Sequence, residues 1–245
     1  MAARDGLKVV FFITWRKVLA AKMNIFLLLG FIVFLGYIWQ QDSFSLSLRS
    51  FLGLFPYLFL ILSQDMLKDE IDSGALENVL FLKGSFRTYL WQKTYVLVAV
   101  ALVFSLFLFM ILAGWALITK QFLAVYLLQF VAGVAAGIYY LSLSGILSFF
   151  FKGGSNVLFV ILVQVFFFIG LLLSAGKKAG FIDSLDRGSF PDFSSRLKFL
   201  TLTAVFPNAI TAKRFIIYGP VLAVLSVAFL FVQRWKIKKL ELEKK

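Results

Sequence analysis

The sequence predicts an all-α membrane protein: six transmembrane helices, an N-terminal interfacial amphipathic helix and a short cytoplasmic coupling helix. Three observations carry that prediction. Of the 245 residues, 61% are hydrophobic and only 15% charged, with a mean hydropathy of +0.93. Soluble domains hold about half apolar and a quarter charged residues. Charge-free apolar windows long enough to span a bilayer recur six times along the chain. Most of the 25 Lys and Arg residues fall between those windows, as topology determinants do.

A helix rising about 1.5 Å per residue needs about 20 apolar residues to cross about 30 Å of hydrocarbon. On that basis the spans are expected near 24–40, 46–64, 94–119, 121–151, 155–175 and 215–233, within a single transmembrane domain covering 1–245. The first ends in Tyr37 and Trp39, interfacial aromatics. The second is short and contains Pro56; it extends back toward Phe44 if Arg49 snorkels outward. Only Lys120 separates the third window from the fourth, so a tight turn is expected near Ile118–Gln121. Pro220 should loosen the sixth span locally.

Three segments lie outside the windows. Residues 7–22 are basic and amphipathic and suit a helix lying in the interface; the plainer alternative is that they begin the first span. Residues 65–93 form the one sizeable internal polar segment. Residues 176–214 form a long loop with turn signals at Gly188, Pro191 and Pro207–Asn208, and its apolar part, FLTLTAVF, is suited to dip into a leaflet. An even number of spans puts both termini on one side. Sixteen of the Lys and Arg residues fall on the side of the termini and nine on the other, so both termini are expected in the cytoplasm of a multi-pass cell-membrane protein. The basic 176–214 loop runs against that vote.

The formal charge of +13 is spread over short inter-span segments, which points to lipid headgroups and away from nucleic acid. With no Cys and no His, the chain has no disulfide, thiolate metal site, thiol nucleophile or imidazole base. Apart from Arg49 at the edge of the second, no charged residue sits within the six windows, although intramembrane chemistry usually rests on one. The nearest approach to a P-loop, GLLLSAGKK at Gly170–Lys178, has one residue too many between its glycines and ends in Lys instead of Ser or Thr. No metal or cofactor site is expected in this chain, and no catalytic residue.

What polar groups the windows hold are hydroxyls and amides. Gln164, Tyr139, Tyr140 and Ser144, with Ser142 and Ser148, could line a path for an amphiphilic substrate; ordinary interhelical hydrogen bonding is the competing reading of each. Gly133 and Gly137 form a G-x-x-x-G pair for close helix packing, within one subunit or across a dimer, with Gly145 two turns on.

The 65–93 segment reads QDMLKDEIDSGALENVLFLKGSFRTYLWQK from Gln64. A helix start is expected at Ser73–Gly74, with Glu77 in the first turn, Leu76, Val79, Leu80 and Lys83 at helical spacing, and Gly84 as the stop; a second start at Ser85 leads through Arg87 and Lys93 into the third span. This stretch resembles the segment between the second and third spans of ABC-2-type permeases, E-x-x-x-G-[TS]-L-E-x-L-L, often followed by Pro, a Ser-Arg pair and a Lys. Glu70, Gly74, Leu76, Glu77 and Leu80 match in register, and Ser85 and Lys93 fall where the later elements belong. Ala75, Val79, Lys83 and the late Arg87 depart from the pattern.

The resemblance implies a coupling helix, with Glu70, Gly74, Leu76, Glu77, Leu80, Lys83 and Arg87 docking on a separate ATP-binding subunit. It also implies a second permease chain, identical or not. ATP and Mg would be held by that partner, and the chain itself would be no enzyme. The expected function is that of the transmembrane permease of an ATP-driven exporter. A non-transporting scaffold in a larger membrane complex is the main alternative. An intramembrane enzyme is a further one, disfavoured by the missing His, Cys and intramembrane carboxylates.

Overall fold

The computed structural model describes residues 11–12, 15–16, 22–41, 44–64, 86–151, 155–174, 192–209 and 215–243. Everything described is helix or the turns between helices. The helices are α1 (Lys22–Gln41), α2 (Phe44–Leu54), α3 (Pro56–Leu62), α4 (Phe86–Ile118), α5 (Val125–Leu147), α6 (Ser155–Ser174), α7 (Phe193–Val205) and α8 (Phe215–Glu243). A single 3-10 turn, Pro207–Ala209, follows α7.

Among the described residues three helices are long and apolar enough to cross a membrane: Thr88–Ile118 in α4, Val125–Leu147 in α5 and Gly219–Lys239 in α8. The other three expected windows fall on α1, on the pair α2–α3 and on α6. The pair α2–α3 is one rod interrupted at Phe55. Pro56 has no N–H, and the Leu58 amide donates to the Phe55 carbonyl at 2.9 Å, a tightened turn at the break. Of the N-terminal segment, 11–12 and 15–16 have helical backbone, and the Phe11 and Trp15 rings stack at 6.3 Å, one turn apart. The rest of 7–22 up to Lys22 lies outside the described residues.

α5 is the centre. Over its membrane-length window 56% of residues are buried, against 39% for α4 and 22% for α8. It packs against α8, α3 and α2, and also touches α4 and α6. Small residues make this possible: Ala132, Gly133, Ala136 and Gly137 bring the backbone close to its neighbours, as small residues do where no apolar solvent difference drives association. Phe51, Phe55 and Phe59 recur every four residues, and all are fully buried. Phe55 stacks on Phe130 of α5 at 5.0 Å, and Phe130 stacks on Phe109 of α4 at 4.5 Å, joining three elements in one aromatic column.

The contacts also fix chain direction. Phe55 lies against Gly133 and Phe59 against Gly137, while Ser63 meets Ser144, so α3 and α5 run the same way. Gln233 of α8 lies against Gly145, and Phe229 against Tyr139, so α8 is parallel to both. Asn156 meets Ser144 and Gln164 meets Tyr140, so α6 runs opposite to α5. The α4–α5 hairpin turns through 119–124, later than the expected Ile118–Gln121. Lys120 takes the left-handed conformation there, φ 56°, and the Gln121 and Phe122 amides both close on the Ala116 carbonyl at 2.8 and 3.1 Å.

Two helices overrun the charge-free windows. Helix α4 begins at Phe86, where the Ser85 start signal puts it and two turns before the window opens at residue 94. Its 33 residues reach about 50 Å, more than the about 30 Å of hydrocarbon. Helix α8 continues beyond residue 233 through the basic run RWKIKK to Glu243. The extra turns of both helices sit at the same end of the bundle, where Leu90 and Trp91 approach Gln233 and Ile237.

Candidate functional site

All four polar residues singled out along the predicted spans are buried, and they fall in two adjoining hydrogen-bonded clusters around α5. The first is built on Gln164. This side chain lies on the single stripe of α6, with Asn156 and Val160 at four-residue spacing, that the fold covers. The Tyr57 hydroxyl of α3 donates to Gln164 Oε1 at 2.7 Å. Gln164 Nε2 donates to the Tyr140 hydroxyl at 2.7 Å and to the Val205 carbonyl at the end of α7, also at 2.7 Å. One amide therefore ties α3, α5, α6 and α7 together, using its acceptor once and both donors. The Tyr57 and Tyr140 rings stack at 5.1 Å, and Tyr139 donates its hydroxyl to the Ala204 carbonyl at 2.7 Å.

Helix α7 is what these groups capture. It spans the apolar part of the 176–214 loop, and the carbonyls of Ala204 and Val205, left open at a helix C-terminus, are met by Tyr139 and Gln164. Asn208, in the 3-10 turn, donates through Nδ2 to the Gly53 carbonyl of α2 at 2.8 Å. Gly188 and Pro191, the turn signals upstream, lie outside the described residues.

The second cluster sits toward the end of the bundle that carries Arg234 and the lysines of α8. Ser144 donates to the Ser63 carbonyl at 3.0 Å and receives the Asn156 amide at 2.7 Å, while Asn156 Oδ1 accepts the Val157 amide at 3.0 Å. Ser148 donates to the Gly145 carbonyl and Ser142 to the Ile138 carbonyl, each within α5. Lys236 of α8 lies 4.1 Å from the centre of the Phe150 ring, so the C-terminal ends of α5 and α8 are joined by a cation–π contact as well.

Gly133 and Gly137 pack within this chain, against the rings of Phe55 and Phe59. Of the segment resembling a coupling helix, Glu70, Gly74, Leu76, Glu77, Leu80 and Lys83 lie outside the described residues. Arg87 is in the first turn of α4. Lys93, two turns on, is buried on the inward face of α4 with Tyr89, Leu90, Val96 and Leu97.

Sequence reading missed Tyr57, Asn156, Asn208 and Gln233. Each is a lone amide or phenol in or beside an apolar window, and that was the available signal. The groups gathered here are phenols, hydroxyls and amides. They can hold helices in register and exchange hydrogen-bond partners; none is a strong acid or base near neutral pH.

Helices of this length and apolarity around a neutral polar core define an α-helical membrane protein. Comparison of the chain with protein-family models, with curated proteins and with solved structures gave no match.

Proposed function

We propose that this chain is the membrane-spanning permease subunit of an ATP-driven exporter of the ABC-2 type. It would form substrate pathway and coupling surface while a separate subunit binds and hydrolyses ATP. The observation that carries the reading is the register of Glu70, Gly74, Leu76, Glu77 and Leu80 between the second and third apolar segments, where such permeases carry their coupling helix. The chain directions are in keeping with it: α3, α5 and α8 run one way and α6 the other, as the even- and odd-numbered spans of a six-span serpentine must. The long continuous α4 offers a mechanical route, because a push on its Phe86 end is delivered along a rigid rod that a flexible loop would absorb.

In this reading the Gln164 and Ser144 clusters are the helix-holding elements of each half. The substrate path runs between two copies or between this chain and a related one. The test is whether an ATP-hydrolysing subunit accompanies the chain out of its native membrane in mild detergent, and is lost on Leu80→Asp. Its absence from the parent would favour the scaffold reading.

A further inference from the structure

A groove opens between α4 and α8 at the end of the bundle where both helices overrun the membrane length. It is a shallow, half-open groove lined by Leu90, Trp91 and Thr94 on α4 and by Leu230, Gln233, Arg234 and Ile237 on α8. Its floor is apolar: Leu90 and Ile237 are buried and Leu230 is half-buried. Its polar edge is Thr94, Gln233 and the exposed Arg234.

The level of this groove in the bilayer is set by its neighbours. Tyr95 and Trp235 are 63% and 65% exposed, and Trp91 pairs with Tyr95 at 5.9 Å. Exposed Trp and Tyr gathered at one depth mark the headgroup boundary. Lys238 and Lys239 extend the positive charge one turn beyond Arg234. Arg234, Lys238 and Lys239 contribute positive charge at this edge of the groove.

We propose that this groove is a binding site for an anionic phospholipid of the adjoining leaflet, its phosphate on Arg234 and an acyl chain along Leu90, Leu230 and Ile237. Arg suits the role because its planar fork meets a phosphate with two parallel hydrogen bonds. An uncharged phospholipid fills the same apolar floor but gains nothing from the positive edge. The site needs only membrane insertion and is independent of the transporter reading.

Quenching of Trp91 by brominated lipid tests it. The purified chain is reconstituted in phosphatidylcholine containing either brominated phosphatidylglycerol or brominated phosphatidylcholine, and the Trp91 contribution is taken as the difference between the parent and Trp91→Phe. Brominated phosphatidylglycerol should reach Trp91 with about fivefold preference, the gain expected from one basic side chain close to an anionic headgroup. Arg234→Gln, at an exposed position, should abolish the preference while leaving quenching by brominated phosphatidylcholine unchanged. Lys238→Gln, on the same helix but outside the groove, should keep it. Equal quenching by the two lipids in the parent would overturn the site. So would an equal loss in both variants, which would assign the attraction to the diffuse charge of the helix end.

Discussion

Gly137 of α5 lies so close under the ring of Phe59 that a methyl group there would come within 2.5 Å of Phe59 Cδ2. The same happens one turn earlier between Gly133 and Phe55. Phe59 is fully buried and hemmed in by its own helix, so the ring has little room to yield. Gly137→Ala should therefore cost about 1–3 kcal/mol through overpacking, more than alanine's better helix propensity returns. Thermal unfolding in detergent should show the loss, and Phe59→Leu should recover part of it in the double variant. Additivity of the two changes would mean the pair is not in contact.

Gln164 is the next point of failure. Gln164→Leu keeps the volume but removes one acceptor and two donated bonds to Tyr57, Tyr140 and the Val205 carbonyl. Interhelical hydrogen bonds within membranes average about 0.6 kcal/mol each, so the three together are worth about 2 kcal/mol. The more local effect is release of α7, whose C-terminal carbonyl Gln164 holds. Limited proteolysis or amide exchange over 193–205 should accelerate in Gln164→Leu and remain as in the parent in Ser142→Ala, whose hydroxyl bonds only within α5.

Apolar runs between charges were enough to locate the three helices of membrane length, because such a window is set by hydrocarbon thickness and little else can be done with it. What the windows hid was everything that depends on tertiary partners. The start of α4 was legible in Ser85, but the inward placement of Lys93 beside Tyr89 and Leu90, within a run that Arg87 and Lys93 mark as basic, was not. Helix α7 was hidden because its apolar face is short and its carbonyls are closed by Tyr139 and Gln164, residues distant in sequence. The polar residues Gln164, Tyr139, Tyr140 and Ser144 were legible as unusual, and their grouping was not. Tyr57, the partner that completes the cluster, looked like one more aromatic in FLGLFPYLFL.

Membrane topology is open to direct labelling, since the chain has no native cysteine. Six spans with both termini in the cytoplasm place residue 184 outside and residue 73 inside. A cysteine at Ser184 should react with an impermeant reagent added to intact cells, and one at Ser73 should react only after permeabilisation. The reverse pattern would invert the orientation.

The proposed coupling segment makes a sharper demand. If Glu77 caps its own helix, its removal costs about 1 kcal/mol locally; if it pairs with a basic partner in a dry interface, the cost is about 2–5 kcal/mol there. Neither competes with the insertion of the apolar helices. Glu77→Ala should thus reach the membrane at parental levels and yet weaken association with the ATPase subunit. Leu80→Asp should weaken it further by setting a charge on the face meant to be buried, and Asp42→Asn should leave it unchanged. Parental association in both Glu77→Ala and Leu80→Asp would remove this segment from the interface.

In the proposed function, transport energy comes from a partner subunit coupled through residues 70–83. ATP hydrolysis by the assembly, isolated from its native membrane through an affinity tag on this chain, tests this for the parent and for Leu80→Asp. Magnesium-dependent hydrolysis should co-elute with the parent, fall away with Leu80→Asp, and be absent from the chain stripped of its partners. Hydrolysis by the stripped polypeptide itself, or a parent assembly that carries no ATPase, would contradict it.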